Sequence, residues 1–324
     1  MRTKKNNMKK YFSIIWTISI LVAFNSCFDD LDRYPTNDLN SKIVYDTAAG
    51  YKNALAKVYG SYALTGNDGT SLIGDISMGD PAATDFIRCY FNLQSMTTEE
   101  AICTWTDDGI PDLNTMSWAS SNAFIAGLYY RSLLQITLSN EFIRESSDAN
   151  LEGKGFTQTE IENIKHFRAE ARFLRAFQYW VLVDLFGNPP FVDENHIMGK
   201  VPPKQIERKE LFNYIEKELL ELDGLLKEPG TNEYGRADKG ACWALLARFY
   251  LNAEVYTGNP KYTEAITYSG KVLDAGYSLK SNYGELFMAD NNLNNNEVIL
   301  SINYDGLRSR NYGGLTFIIN SSFM

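Results

Sequence analysis

The sequence predicts a mostly α-helical fold, built of paired helices with irregular loops between them. Apolar side chains recur at the i, i+3, i+4, i+7 spacing of a buried helical stripe through long parts of the chain. Turn signals separate these stretches, as in the segments GKGFTQTE and PGTNEYGRAD. Of the 324 residues, 44% are hydrophobic and 22% are charged, which is typical of a globular chain. Together these features favour a helical protein with a sizeable core.

The clearest periodicity lies in residues 159–186, which we predict to form one long helix. Its apolar stripe consists of Ile161, Ile164, Phe167, Ala171, Leu174, Phe177, Val181 and Leu185. Gly187 and the pair Pro189–Pro190 are expected to end the helix, because proline lacks an amide hydrogen and restricts the residue before it. Similar patterns predict helices over 46–64, 116–144 and 209–226 and a loop over 65–85, whereas 86–117 shows no sustained period.

The segment CWALLARFYL, residues 242–251, indicates how the helices pair. Its spacing is close to the first-helix signature of a tetratricopeptide repeat, with Trp243, Leu246, Ala247 and Tyr250 in the signature positions. Large residues in this pattern fill the groove to a partner helix, and the small residue lets the two helix axes approach. With a partner helix at 261–276 and Asp238 as N-cap, residues 238–276 are predicted to form one helical hairpin. The two helices before it are predicted to form another pair.

Residues 297–303, EVILSIN, follow the predicted hairpin and alternate in character. Alternation of this kind is typical of a half-buried strand. Two interpretations stay open: a strand, or an extended segment that leads out of the helices.

The start of the chain has the features of a lipoprotein signal. Residues 1–10 contain five basic residues and no acid, and the run Tyr11–Phe24 is uncharged and mostly apolar. This run has 14 residues, whereas a helix that spans a bilayer needs about 20. A basic region followed by a short apolar region is typical of a secretory signal, and the small Ser26 before Cys27 indicates cleavage that leaves a lipidated Cys27 at the N-terminus. The alternative is a short membrane-anchoring helix that ends in an ordinary thiol.

Net charge limits the classes of partner. The formal charge is −9, and residues 1–26 carry five positive charges and no negative one, so the rest of the chain is near −14. An acidic chain without a basic stripe is a poor candidate for binding nucleic acid. It is also not attracted to anionic lipid headgroups, so attachment to a membrane must come from the lipid on the cysteine.

Cysteine content argues against a disulfide framework. With Cys27 lipidated, an odd number remains: Cys89, Cys103 and Cys242. The sequence leaves open whether Cys89 and Cys103 pair. Cys242 lies in an apolar helical run and is predicted to be a small buried residue.

Several blocks of the chain resemble the SusD/RagB family, the nutrient-binding outer-membrane lipoproteins of Bacteroidetes. The strongest block is AEARFLRAFQYWVLVDLFGNPPFV, residues 169–192, which contains the family's E-x-R-x-L-R-A and L-F-G-x-x-P elements. Further blocks are GRADKGACWALLARFYL (235–251), GYSLKSNYGELF (276–287), NNNEVILSI (294–302), the opening CFDDLDRYP and the segment WASSNAFIAGLYYRSLLQITLSNEFI. Because family members run well past position 324, the chain resembles a C-terminally truncated member.

The resemblance implies a fold, a function and partners. The fold is a SusD-like tetratricopeptide scaffold with irregular ligand-binding loops, divided into a signal peptide (1–26), an N-terminal region (27–236) and a partial C-terminal region (237–324). Such a protein is anchored in the outer membrane by its acylated cysteine and faces the exterior. It binds an oligosaccharide, or sometimes a peptide, and passes it to a SusC-like TonB-dependent transporter. It breaks no bond and needs no cofactor.

Two other function classes stay open. A repeat-type protein-interaction adaptor uses the same kind of helix pairs. A surface glycoside hydrolase needs two carboxylates that are not adjacent in sequence, and nothing marks such a pair. His166 and His196 have no metal-ligand spacing, and GxSxG, HExxH and phosphate-loop motifs are absent from the sequence. We therefore predict no catalytic residue and no metal ligand.

Glycan-binding residues are predicted from residue type and setting. An aromatic ring packs on the C–H face of a sugar, so aromatic residues in irregular polar segments are better candidates than those on helical stripes. Trp105, in CTWTDDG, is the first candidate, and the alternative is that it covers a junction between loop and core. The other candidates are Tyr304, Arg308 and Tyr312 in NYDGLRSRNY, and Arg88 with Asn92. Trp118, Trp180 and Trp243 are assigned to packing.

Charged residues in the strongest family block are predicted to be structural. Glu170, Arg172 and Arg175 lie on the long helix, where Arg172 and Arg175 share a face. Buried or half-buried ion pairs are more often architectural than catalytic.

Overall fold

The computed structural model describes residues 41–66, 74–78, 80–196, 199, 201–307 and 309. The chain divides into two compact units, residues 1–44 and 45–324, and the described part of the first unit is the short helix α1, Ser41–Val44. The predicted signal peptide, Cys27, Arg308 and Tyr312 lie outside the described residues.

Helices make up the regular structure of the second unit. In chain order they are α2 (Ala48–Ala63), a 3₁₀ helix (Pro81–Thr84), α3 (Phe86–Ser95), α4 (Ile110–Asn114), α5 (Ala123–Glu145), α6 (Asp148–Leu151), α7 (Gln158–Leu185), α8 (Arg208–Leu222), α9 (Lys239–Leu251), α10 (Ala253–Thr257), α11 (Tyr262–Asp274) and a second 3₁₀ helix (Tyr283–Phe287). Within the described ranges, β pairing is limited to an isolated antiparallel bridge between Pro190 and Gln205. The predicted fold class, mostly helical with paired helices, is confirmed.

The long helix α7 is the centre of the core. It packs against α2, α5 and α8. Thr157 begins it with a capping box, in which the Thr157 side chain and Glu160 each accept a hydrogen bond from the other residue's backbone N–H. Gly187, with φ of 72°, lies in the left-handed region just beyond its end. The predicted bounds of 159–186 are therefore correct to within one residue at each end.

The predicted hairpin after residue 238 is also confirmed. Asp238 caps α9 by accepting a hydrogen bond from the backbone N–H of Ala241 at 3.1 Å. Helix α9 packs along α11, as the pattern predicts, and the preceding pair α7 and α8 pack together as well. Cys242 is fully buried in this hairpin. Within this hairpin, the sequence did not predict the short helix α10, which lies between the two hairpin helices.

Two stretches differ from the sequence-based expectation. Helices α3 and α4 lie within residues 86–117, where no sustained period is present, because each is too short to show one. Helix α5 begins at Ala123 rather than near residue 116, since Asn122 accepts hydrogen bonds from the backbone N–H groups of the first turn. Gly127 on α5 lets the first 3₁₀ helix approach closely, because a Cβ there would lie 1.8 Å from the carbonyl oxygen of Ala83.

The segment Glu297–Asn303 does not form a strand. It has no ladder partner in the part of the chain that the structure describes, and it runs irregularly along α2, α7 and α9. None of the helices in the described ranges combines the length and the apolar content that a membrane span needs.

A buried ion pair connects α7 to its neighbours on one side. The carboxylate of Glu170, 1% exposed, accepts hydrogen bonds from Arg236 at 2.5 and 2.9 Å and from the Tyr59 hydroxyl at 2.7 Å. The Tyr59 hydroxyl in turn accepts the backbone N–H of Ala237 at 2.9 Å. Burial, with the adjacent Glu170 charge, raises the pKa of Tyr59, so the hydroxyl stays a donor. This cluster fixes α2, α7 and the turn before α9 together, as predicted for a structural Glu170.

The Glu170 cluster makes a testable stability prediction. Replacing Glu170 with Gln removes the charge but keeps the shape, and it leaves Arg236 with only the exposed carboxylate of Glu233, 3.2 Å away, as counter-charge. We expect the free energy of unfolding to fall by about 3–5 kcal/mol, the range measured when one partner of a buried pair is removed. Urea unfolding followed by circular dichroism measures the change.

The matched control is Lys52→Gln, which breaks an ion pair with Glu233 whose two side chains are more than half exposed. Its expected effect is below about 1 kcal/mol. Equal losses for Glu170→Gln and Lys52→Gln would show that the buried cluster is not what fixes these elements.

Candidate functional site

The first turn of α3 holds the charged residues around which the candidate site is built. Asp85 caps the helix, and its carboxylate accepts the backbone N–H of Arg88 at 2.8 Å. The Arg88 guanidinium lies 4.9 Å from the centre of the Phe124 ring, and its Nη2 donates to the carboxylate of Asp107. The Arg88 side chain is 4% exposed and that of Asp107 is 42% exposed. A buried cation therefore orients an acid that reaches solvent.

Trp105 lies in a loop that is anchored on both sides. The side chain of Asn114 bonds both backbone groups of Cys103, donating to the carbonyl oxygen at 2.6 Å and accepting the N–H at 3.5 Å. The Asn122 amide donates to the carbonyl oxygen of Gly109 at 2.9 Å. Gly109 has a φ of 89°, and a Cβ there would lie 2.7 Å from the Asn122 amide, so the turn requires glycine. Trp105 is half-buried between these anchors.

Tyr304 is affected by the charge of Asp85, the residue that caps the same helix. Its hydroxyl is buried and has no hydrogen-bond partner among the described residues. Burial raises the pKa of this hydroxyl, and the nearby Asp85 carboxylate raises it further. The structure thus joins Arg88 to the Trp105 loop through Asp107, and the charge of Asp85 acts on the Tyr304 hydroxyl; sequence spacing alone did not indicate either relation.

Arg88 and Asn92 are placed behind this surface rather than on it. Arg88 is 3% exposed and Asn92, one helical turn further along α3, is fully buried. Both polar atoms of the Asn92 side chain lack a partner among the described residues. Because both side chains are buried, neither is accessible to a ligand at the surface in this structure. Direct contact of a ligand with Arg88 or Asn92 stays a prediction.

The assignment of Trp118 to packing is wrong. Its side chain is 43% exposed, because residues 115–122 form a loop instead of the first turns of the predicted helix. Trp180 is buried, as predicted. Trp243 packs between α8 and α11, donating from Nε1 to Asp223 at 2.5 Å, with the Lys271 ammonium 5.2 Å from its ring centre.

No sequence pattern indicates the second buried arginine near the site. Arg131 on α5 is fully buried and donates from Nε to the carbonyl oxygen of Thr84 at 2.7 Å. Its two terminal nitrogens bind the carboxylate of Asp75 at 2.8 and 3.1 Å. This bidentate pair fixes the backbone just before α3. No local pattern could have revealed it, since the two residues lie 56 positions apart.

Arg172 and Arg175 form a second charged network, between α5, α7 and α8. Arg175, 2% exposed, donates to Asn140 at 2.8 Å, to Glu194 at 2.5 Å and to Glu218 at 3.0 Å. Arg172 donates to the same Glu218 at 2.8 and 3.2 Å. The shared acceptor supports the structural reading of both arginines. The network borders a polar cavity of about 760 Å³, which His196 also lines.

The described cysteines are free thiols. Cys89, Cys103 and Cys242 are all buried, and no disulfide joins Cys89 to Cys103. The Cys89 thiol donates to the carbonyl oxygen of Ala83 at 3.1 Å. Burial raises the pKa of Cys89 and raises that of Cys242 to about 12, so both remain protonated, packed residues.

The family described as "Starch-binding associating with outer membrane", SusD-like, matches residues 92–251, which include the Trp105 loop and helices α5, α7, α8 and α9. The chain is 37% identical over 98% of its length to the starch-binding protein SusD of Bacteroides thetaiotaomicron. The chain is similar to the SusD-like family.

Solved structures agree on the fold of this SusD-like chain. A SusD superfamily protein from Bacteroides vulgatus superposes with a TM-score of 0.62 at 17% identity, covering 80% of this chain and 50% of that one. A SusD-like carbohydrate-binding protein from Bacteroides fragilis gives a TM-score of 0.56 at 22% identity, covering 79% of this chain and 46% of that one. The chain spans 55% of the length of the B. thetaiotaomicron starch-binding protein.

The Glu218 network of this SusD-like chain predicts a pH dependence of stability. Burial alone raises the pKa of Glu218, but the hydrogen bonds and charges of Arg172 and Arg175 outweigh it, so the pKa lies below its ordinary value of 4.5. A carboxyl with a lowered folded-state pKa stabilises the fold above its unfolded pKa and loses this contribution as pH falls through the folded value. We expect the free energy of unfolding to fall below about pH 4.5, and to fall less steeply in Glu218→Gln.

Urea titrations at several pH values between neutral and acidic conditions measure this slope. Glu162→Gln, which removes an exposed carboxylate from α7, is the matched control and is expected to keep the slope of the unaltered chain. An unchanged slope in Glu218→Gln would contradict the prediction.

Proposed function

We propose that this SusD-like chain binds a starch-type oligosaccharide at the cell surface and passes it to a SusC-like TonB-dependent outer-membrane transporter. The observation that carries the proposal is the 37% identity to a starch-binding protein over 98% of the chain. The surface glycan-binding protein A of Bacteroides fluxus, with a TM-score of 0.58, shares the fold. The whole activity, including delivery to the transporter, is a proposal, since the chain spans 55% of that relative's length.

The site around the start of α3 has the groups that a glucan requires. The ring of Trp105 offers a flat apolar face for the C–H side of a pyranose, and the loop is already ordered by its anchors at Cys103 and Gly109. Asp107, partly exposed and held by Arg88, accepts hydrogen bonds from sugar hydroxyls. Tyr304 supplies a second ring close to Asp85. Arg88 and Asn92 then act as positioning residues behind the surface, with Arg308 and Tyr312 as further candidates from the adjoining segment.

Attachment to the outer membrane is proposed through lipid on Cys27, with the binding site facing the exterior. The support is the signal pattern of residues 1–26 and the family description, which names association with the outer membrane. A thioether-linked lipid together with an N-acyl chain supplies the two hydrophobic signals that stable anchoring requires.

The proposed chemistry is binding without bond cleavage and without a cofactor. The support is the family, whose described members are starch- or carbohydrate-binding proteins. Two charged residues near α3 already have structural hydrogen bonds. Arg88 donates to Asp107 in the Trp105 loop, and Asp85 caps the helix. A hydrolase or a protein-interaction adaptor would give different results in the following test.

Binding at the Trp105 loop is tested with Trp105→Ala. We expect affinity for malto-oligosaccharides, measured by isothermal titration calorimetry, to fall roughly tenfold to hundredfold, because truncating an aromatic anchor removes most of its contact energy. The control is Tyr283→Ala, which removes an aromatic ring that is 72% exposed in the second 3₁₀ helix. Unchanged affinity in Trp105→Ala would show that the oligosaccharide binds at a different site. Release of reducing ends would support a hydrolase, and absence of any glycan binding would favour an adaptor.

Lipid anchoring is tested with Cys27→Ser in cells. We expect the protein to lose incorporation of labelled palmitate and to leave the membrane fraction, because serine does not accept the thioether lipid. Ser26→Ala keeps a small residue before the cysteine and serves as the matched control. Membrane retention of Cys27→Ser through an alkaline wash would instead support the anchoring-helix alternative.

A further inference from the structure

The polar cavity of about 760 Å³ lies between the end of α5, the helices α7 and α8 and residues 194–196. Its volume is within the range of about 300–1,000 Å³ that small-molecule sites occupy. Except for Ile143, all the described residues that line it are polar or charged, and three of them are arginines: Arg144, Arg168 and Arg172. We call it the arginine cavity. None of its lining residues belongs to the Trp105 loop.

Each of the three arginines has N–H groups without a partner among the described residues. Arg144 donates from Nη1 to the carbonyl oxygen of Glu194 at 3.3 Å, which leaves its Nη2. Arg168 donates from its two terminal nitrogens, which leaves its Nε. Arg172 donates from Nε and Nη2, which leaves its Nη1. Because a guanidinium stays charged in proteins, these groups remain available to carboxylate or phosphate oxygens.

Ser147 and His196 add further polar groups to the arginine cavity. Ser147 is the N-cap residue of α6, but its side chain makes no capping hydrogen bond. The backbone N–H of His196 donates to the carbonyl oxygen of Asp193 at 3.2 Å, and its ring has no hydrogen-bond partner in the part of the chain that the structure describes. A hydroxyl and an imidazole both donate hydrogen bonds to anionic oxygens.

Two carboxylates also line the arginine cavity, and both are already paired. Glu194 and Glu218 accept hydrogen bonds from Arg175 at 2.5 and 3.0 Å. Arg175 is 2% exposed and is not a lining residue, so it adds a fourth guanidinium behind the two acids. The acids that pair with the lining arginines on the solvent side, Asp148 and Glu221, are 69% and 46% exposed, and exposed charges are screened by salt.

We propose that the arginine cavity binds a small organic anion, whose carboxylate or phosphate group is recognised by Arg144, Arg168 and Arg172. A planar guanidinium binds either group through two parallel hydrogen bonds, which adds geometric specificity to the attraction of charge. The cavity has the volume of a site for a small molecule, so the ligand has a body, such as a sugar ring, besides its charged group. The proposal does not depend on glycan binding at the Trp105 loop.

Nuclear magnetic resonance of the histidine rings tests the proposal on the unaltered chain. The chain has two histidines, so two ring signals are expected, and His196→Gln assigns them. The probes are glucuronate, glucose 6-phosphate and glucose, which share a ring and differ in charge. We expect the anions to shift the His196 signal until it saturates, and glucose to leave it unchanged. His166, whose ring bonds the carbonyl oxygen of Leu225 outside the cavity, is the internal reference and is expected not to shift.

The two anionic probes also separate the two kinds of ligand. A saturable shift with only one of them supports the proposal and identifies carboxylate or phosphate as the group that is bound. Absence of a His196 shift with both anions would overturn the proposal, and so would an equal shift with glucose.

Arg144→Gln tests the role of the arginines. The Arg144 side chain is 46% exposed, so its replacement is expected to leave the fold intact. We expect affinity for the anion that shifts His196 to fall roughly tenfold, because a charge-assisted hydrogen bond is lost. Lys52→Gln removes one positive charge from an exposed side chain that does not line the cavity, and it is expected to keep the affinity. Equal affinity in Arg144→Gln and the unaltered chain would contradict the assignment.

The same variants distinguish this proposal from the proposed function. Arg144→Gln is expected to bind malto-oligosaccharides as the unaltered chain does, and Trp105→Ala is expected to bind the anion as the unaltered chain does. Loss of anion binding in Trp105→Ala would place the anion at the Trp105 loop and would overturn the assignment to the arginine cavity.

Discussion

Two buried charges on α7 constrain the helices around it. Glu170 and Arg175 are 1% and 2% exposed and lie five residues apart, so they point to different sides of the helix. Glu170 binds Arg236 near the start of α9, and Arg175 binds Glu218 on α8. Apolar burial supplies the larger stabilisation but has no direction, whereas an unpaired buried charge costs several kcal/mol, roughly 3–5 when a partner is lost. The charges therefore select one arrangement among the many that would bury similar apolar area.

The sequence predicts those parts of the fold that are determined by residues close together in the chain. Helix α7 is correct to within one residue because its apolar stripe extends over many turns and because Thr157 and Gly187 mark its ends. The hairpin of α9 and α11 follows from the Trp243 signature and from the cap at Asp238. Helix α3 was not predicted, because its ten residues make too few turns for an apolar period to be recognised.

The candidate site depends on contacts that are distant in sequence. Arg88 and Asp107 are 19 positions apart, and the charge of Asp85 acts on the hydroxyl of Tyr304, which lies much later in the chain. Residue type identified Arg88 and Trp105 as candidates, but it could not separate a buried positioning residue from an exposed one. Trp118 is the opposite case, a residue predicted to be packed that is exposed. Its exposure follows from where α5 begins, and the Asn122 cap sets that start.

Arg88 is buried and Asp107 is partly exposed, so the ion pair between them holds the Trp105 loop to the core. A loop that orders only when ligand arrives loses conformational entropy at that moment, and this loss weakens binding. Here the loop is held before binding by the bond from Arg88 to Asp107 and by the amides of Asn114 and Asn122. The Trp105 ring thereby lies on a fixed support, and the side chains that provide this support need not touch the sugar that we propose binds there. Under the proposed function, residues behind the surface contribute to affinity by restricting motion, so a helix turn with little exposed area can organise the proposed binding site.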